Sequence, residues 1–133
     1  MMSSNIAIVA AYTSLNGLLI LVLSYVVGHH RGRLDALEPG ATGDAILTRA
    51  VRAHGNATEY IPTALLLLLV LALMSAPGVL LHCLGASFTV GRVAQAVGMM
   101  RKQHPNAVRF TGNLLTGLVY FVASGTALYY ALS

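Results

Sequence analysis

The sequence predicts an all-α fold, an integral membrane four-helix bundle. Three observations lead there. Of 133 residues, 56% are hydrophobic and only 9% charged, where soluble domains run near ~25% charged. Four apolar segments, Ile6–Val27, Ala57–Met74, Val79–Met100 and Phe110–Leu132, approach the ~20 residues that a helix needs to cross a hydrocarbon core of ~30 Å, within spans at about residues 6–27, 45–74, 79–100 and 108–132. The basic residues sit almost entirely at the connections between these segments. Four spans leave short loops and one transmembrane domain over residues 1–133.

The first segment has no basic residue ahead of it, and its apolar run exceeds the usual ~7–15 residues of a cleavable signal peptide, so it reads as a span. It is expected to end near Gly28–Arg33, with a polar loop following through Glu38, Pro39, Gly40 and Gly43. Asp44 or Thr42 can cap the second helix. That helix is expected to start outside the lipid, carry a polar face, and kink at Pro62, which lacks an N–H donor. Ala76-Pro77-Gly78 predicts a tight turn into an antiparallel third helix carrying His82, Arg92 and Gln95. Ala94 and Gly98 form a small-xxx-small pair there, which favours close helix approach. Gln103-His104-Pro105-Asn106 is the next turn. The fourth helix carries Asn113, Tyr120 and the interfacial anchors Tyr129 and Tyr130.

The net charge of +4 raises nucleic acid as a partner, but its distribution excludes it. Arg31, Arg33, Arg49 and Arg52 flank the first connection; Arg101, Lys102 and Arg109 flank the third; only Arg92 lies well inside a span. This pattern places the first and third connections in the cytoplasm and both termini on the opposite side, of the inner or plasma membrane in a bacterium. The single cysteine, Cys83, rules out an intrachain disulfide. The histidines lack ligand spacing with a carboxylate on one helix, so no metal is expected.

The chemistry concentrates in Arg49-Ala-Val-Arg52-Ala-His-Gly-Asn56-Ala-Thr-Glu59-Tyr60-Ile-Pro62. Arg49, Arg52, Asn56 and Glu59 are spaced three, four and three apart, hence on one helix face. Two guanidinium forks, an amide and one carboxylate suit a small zwitterion with more than one carboxylate. An internal salt-bridge stripe from Arg52 to Glu59 fits the same spacing. Arg92 inside a span needs a partner, and Glu59 is the only acidic residue within a span, so a structural Arg92–Glu59 ion pair is expected, with Gln95 completing the network. Arg31 either snorkels to the phosphates of membrane lipids or lines a ligand site.

The run Arg49-x-x-Arg52-Ala-His-x-Asn56-x-x-Glu59-Tyr60-x-Pro62 resembles the second-helix motif of the MAPEG family, the membrane-associated proteins of eicosanoid and glutathione metabolism. Gly91-Arg92-Val93 and Val97 resemble its third-helix motif. The resemblance covers nearly the whole chain and is closest to the family's bacterial branch. It implies a homotrimer with glutathione as co-substrate, bound at subunit interfaces by Arg52, Asn56, Glu59 and Tyr60 with help from Arg31. It also implies a catalytic arginine near the start of the fourth helix, for which Arg109 is the nearest match. The implied chemistry is transferase or peroxidase chemistry, in which glutathione thiolate attacks a lipophilic small-molecule electrophile. Gln95, Met99 and Asn113 stand where eicosanoid-synthesising members have tyrosines, and Phe110 replaces a hydroxyl residue, so eicosanoid synthesis is not expected. A non-catalytic member binding glutathione or lipid is the alternative. A small four-helix transporter is a further one, disfavoured by the arginines that would repel cations around Glu59.

Overall fold

A computed structural model of the chain describes residues 4–37, 44–102 and 106–133. These residues form four helices and no strand: α1 (Ser4–Leu37), α2 (Ala45–Leu73), α3 (Gly78–Met100) and α4 (Ala107–Leu132). Helices α2 and α3 form the centre of the bundle. Helix α1 packs on both, α4 packs on both, and α1 does not touch α4. Loop positions Thr42, Glu38, Pro39 and Gly40, and Gln103, His104 and Pro105, lie outside the described residues.

Helices α1, α2 and α4 are each long and apolar enough to cross a membrane. Helix α3 is 23 residues long, about 34 Å at 1.5 Å per residue. Unlike the other three, it does not qualify as a membrane span by length and composition alone, because it carries Arg92 and Gln95, which are buried inside the bundle. The first helix does not end at the expected Gly28–Arg33 stretch; it runs on to Leu37. Nothing between Gly28 and Leu37 breaks a helix: there is no proline, and glycine costs only about 1 kcal/mol relative to alanine. The part of the expected polar loop up to Leu37 is therefore a helical extension.

Asp44 caps α2, its carboxylate accepting from the Leu47 N–H at 2.6 Å. Pro62 lies inside α2 without ending it. At the far end of α2 the Ala76 N–H donates to Leu71 O (3.0 Å) and the Ser75 N–H to Ala72 O (3.2 Å). With Ser75 at φ 61°, this is a Schellman closure built on serine rather than glycine. Asn5 of α1 ties down the turn, donating to Ala76 O at 2.8 Å.

The α2 residues that face the bundle recur at helical spacing: Ala50, Ala53, Ala57, Ile61, Ala64, Leu68 and Leu71. The small residues let the other helices come close. The same device seats α4 on α3, through glycines rather than through Ala94. A Cβ on Gly112 would lie 2.5 Å from Gln95 N, and one on Gly98 would lie 2.6 Å from the Arg109 backbone. Helix α1 is pinned to α3 by a polar clamp: Asn16, fully buried, donates to Thr89 Oγ1 at 2.8 Å and to Tyr12 O at 2.9 Å.

Candidate ligand-binding cleft

The polar face of α2 lies one residue out of step with its alanines. Ala53 and Ala57 point into the core, so Arg52 and Asn56, each one position earlier and about 100° round the helix, come out at its rim. There they line a cleft of about 420 Å³ together with Arg49, Gly55, Glu59, Met99 and Arg109. All four residues of the predicted face therefore meet in one place, and Arg109 meets them from the first turn of α4. The volume is within the ~300–1,000 Å³ common for small-molecule sites.

Two contacts set Arg109 against the cleft. Asn106, the residue before α4, accepts from the Arg109 N–H through Oδ1 at 2.9 Å and donates from Nδ2 to Gly98 O at 2.9 Å. One side chain thus caps α4 and ties it to the last turn of α3. Gly98, lacking a Cβ, lets the Arg109 backbone settle against that turn, next to Met99.

Three guanidiniums face one carboxylate in the cleft, a formal excess of two positive charges. Arg52 and Glu59 are exposed, whereas Arg49, Asn56 and Arg109 are half-buried. Among the described residues, the buried Nε of Arg49 has no hydrogen-bond partner. Buried donors without acceptors are uncommon. No salt-bridge stripe joins Arg52 to Glu59 among the described residues. Both side chains instead face the shared cleft.

The expected Arg92–Glu59 ion pair is not formed. Arg92 is 1% exposed and donates from Nη2 to Asn56 Oδ1 at 2.6 Å. Its guanidinium also lies over the Tyr60 ring, 5.3 Å from the centroid. Asn56 and Tyr60 are four residues apart and share the side of α2 that faces α3. Glu59, one residue before Tyr60, is turned about 100° away. A charge-assisted hydrogen bond of roughly 1.5–3 kcal/mol and a cation–π contact of roughly 0.5–2 kcal/mol are together comparable to the ~2.5–3.5 kcal/mol insertion cost of an arginine at mid-helix. Gln95 is buried beside Arg92 but does not complete a network with it; among the described residues its Oε1 has no partner.

Two more expected ligand residues lie elsewhere. Tyr60 does not line the cleft. It packs edge-on against Tyr120 with centroids 6.0 Å apart, and the Tyr120 hydroxyl donates to Tyr60 O at 2.6 Å. Arg31 is exposed near the end of α1 and is not among the lining residues. Conversely, Met99 and Gly55 line the cleft without having been singled out as ligand-contacting positions. Their signal in the sequence is only register, since Gly55 follows Arg52 by three and Met99 follows Gly98. Among the described residues no cluster of histidine, cysteine, aspartate and glutamate could hold a metal ion.

The comparisons with known proteins bear on the same residues. The model of the MAPEG family matches residues 9–129, which include α2, α3, most of α1 and α4, and every cleft residue. The chain belongs to the MAPEG family. It is also similar to the inner membrane protein YecN of Escherichia coli, 34% identical over 89 residues in both the K12 strain and an O6:H1 strain. The aligned part is 67% of this chain and 67% of the relative. Family membership and this relative agree with the apolar helices in making the chain a multi-span membrane protein.

Proposed function

We propose that this MAPEG member binds glutathione in the α2–α4 cleft and transfers it to, or uses it to reduce, lipophilic electrophiles. The observation that carries the proposal is the convergence of Arg49, Arg52, Asn56 and Glu59 with Arg109 in one cleft. Glutathione has two carboxylates, one ammonium and one thiol. The guanidiniums of Arg49 and Arg52 match the carboxylates, Glu59 matches the ammonium, and Arg109 is left for the sulfur.

A free thiol has a pKa near ~8.5, so only a few per cent is ionised at pH 7. A guanidinium beside the sulfur favours the thiolate. In conjugation, the thiolate forms a C–S bond to the electrophile while the leaving group departs as an anion, and the thiol proton goes to solvent. In reduction of a hydroperoxide, two glutathiones become one disulfide, and the peroxide becomes an alcohol and water. The apolar co-substrate reaches the cleft from the surrounding lipid.

In this reading the basic ends of the helices face the cytoplasm, which supplies glutathione, and both termini face the other side. The functional unit is a homotrimer, in which Arg31 of a neighbouring copy completes the site that one chain leaves open. Isothermal titration of the detergent-solubilised protein with glutathione tests the binding; no heat from a folded sample rejects it. The second reading, a binder without catalysis, is favoured by Asn113 and Phe110, exposed on α4 beyond Arg109, which provide no hydroxyl to the sulfur. Glutathione binding without conjugation of an aryl halide or reduction of a lipid hydroperoxide would select it.

A further inference from the structure

Arg92 has a consequence for what the cleft can recognise. Arginine has no acceptor atom, and an asparagine amide has one oxygen and one NH2 group. The atom of Asn56 that meets Arg92 Nη2 at 2.6 Å is therefore the oxygen. That leaves Nδ2 as the polar group with which Asn56, a cleft-lining residue, can meet a ligand. Arg92 is itself buried at 1% exposure and does not line the cleft.

We propose that Arg92 is a positioning residue that sets the specificity of the cleft, by holding the Asn56 amide with its NH2 donor turned to the ligand. The proposal rests on the reading of the cleft as a glutathione site. With Asn56 so held, Arg49, Arg52, Asn56 and Arg109 all donate, and Glu59 is the one accepting side chain among the lining residues. Such a lining selects a ligand rich in carboxylate and carbonyl oxygens that carries a single cationic group. An amide free to rotate would offer its oxygen as readily as its nitrogen, and that selection would weaken. The Tyr60 ring on the guanidinium keeps Arg92 in place without competing for Asn56, because the ring face offers no hydrogen to the amide oxygen. The absence of an Arg92–Glu59 pair leaves the carboxylate in the cleft, so one choice of partner by Arg92 determines both the donor and the acceptor the ligand meets.

A double-mutant cycle on the full-length protein in detergent tests this, with glutathione affinity as the readout and thermal unfolding as the control for folding. Arg92→Met replaces the buried charge with an apolar side chain and leaves Asn56 free to turn. Asn56→Ala removes the donor. Each is expected to weaken binding about tenfold, and the double variant is expected to be no weaker than either single one, because both remove the same contact. Asn56→Asp keeps an oxygen for Arg92 but has no NH2 group, so it is expected to fold like the wild type and to lose at least as much affinity as Asn56→Ala. Wild-type affinity in Arg92→Met, additive losses in the double variant, or wild-type affinity in Asn56→Asp would each overturn the positioning role while leaving glutathione binding intact. Failure of the wild-type protein to bind glutathione would overturn the proposed function, and this proposal with it.

Discussion

Arg109 and Glu59 are the residues at which the proposed chemistry is most directly open to measurement. A guanidinium that lowers a thiol pKa by one to two units supplies roughly 1.4–2.7 kcal/mol. Arg109→Ala is therefore expected to lower kcat/KM at pH 7 by about 10–100-fold while the glutathione Kd changes by less than about threefold. The sign with pH follows: loss of the cation raises the thiol pKa, so the rate lost at neutral pH should return as pH rises, visible in the pH–rate profile. An unchanged profile would assign the activation to another group. Glu59 makes the opposite kind of contribution, attracting an ammonium and repelling carboxylates. Glu59→Gln is expected to weaken glutathione about tenfold, near 1.4 kcal/mol, and to tighten an otherwise identical ligand that lacks the ammonium. Equal effects on both ligands in a titration would remove Glu59 from the ammonium site.

At the scale of elements, two backbone features give predictions that involve no ligand. Ser75 holds φ 61°, a left-handed conformation that costs a side-chain-bearing residue roughly 1–2 kcal/mol and glycine almost nothing. Ser75→Gly should raise stability by about 0.5–1 kcal/mol, the gain being reduced by the greater freedom of glycine in the unfolded chain; unfolding in mixed detergent measures it. Gly98 is the point where α4 rests on α3, with the Arg109 backbone 2.6 Å from where a Cβ would stand. Gly98→Ala must push the two helices apart at the wall that carries Arg109, and overpacking of this kind costs about 1–3 kcal/mol. It should lower the unfolding midpoint and reduce turnover more than glutathione binding, because the arginine moves while the α2 face stays. Wild-type turnover in a destabilised Gly98→Ala protein would show that α4 can shift without displacing Arg109.

For the whole molecule, the main question is what closes the cleft. Arg52 and Glu59 are exposed on the side of the bundle, where an isolated chain in a membrane would bring charge against headgroups or lipid, which is costly. The proposed trimer covers them and brings in Arg31 from a second copy. Three chains of 14.0 kDa should then be measured by mass spectrometry or light scattering after correction for detergent. A monomer that binds glutathione with full affinity would dismiss the contribution of Arg31. In the trimer, Arg31→Ala should weaken binding by an amount typical of a partly exposed charged contact, about 1 kcal/mol.

Class, helix count and the polar face of α2 are written in local patterns of the chain. Apolar length decides how many helices cross a bilayer, and a spacing of three and four decides which side chains share a helix face. Both are local properties, and Arg49, Arg52, Asn56 and Glu59 do share a cleft. Even the end of α1 was only half legible, because a run of helix-compatible polar residues continues a helix as readily as it starts a loop. Tertiary structure alone decided the partners. Arg92 and Glu59 looked like a pair by charge, but Asn56 and Tyr60 face α3 and Glu59 does not, so Arg92 went to Asn56. The nearness of Arg109 to the α2 face depends on Gly98, Gly112 and the Asn106 side chain drawing α4 onto α3. Those contacts join residues on different helices, and no periodicity along one helix encodes them.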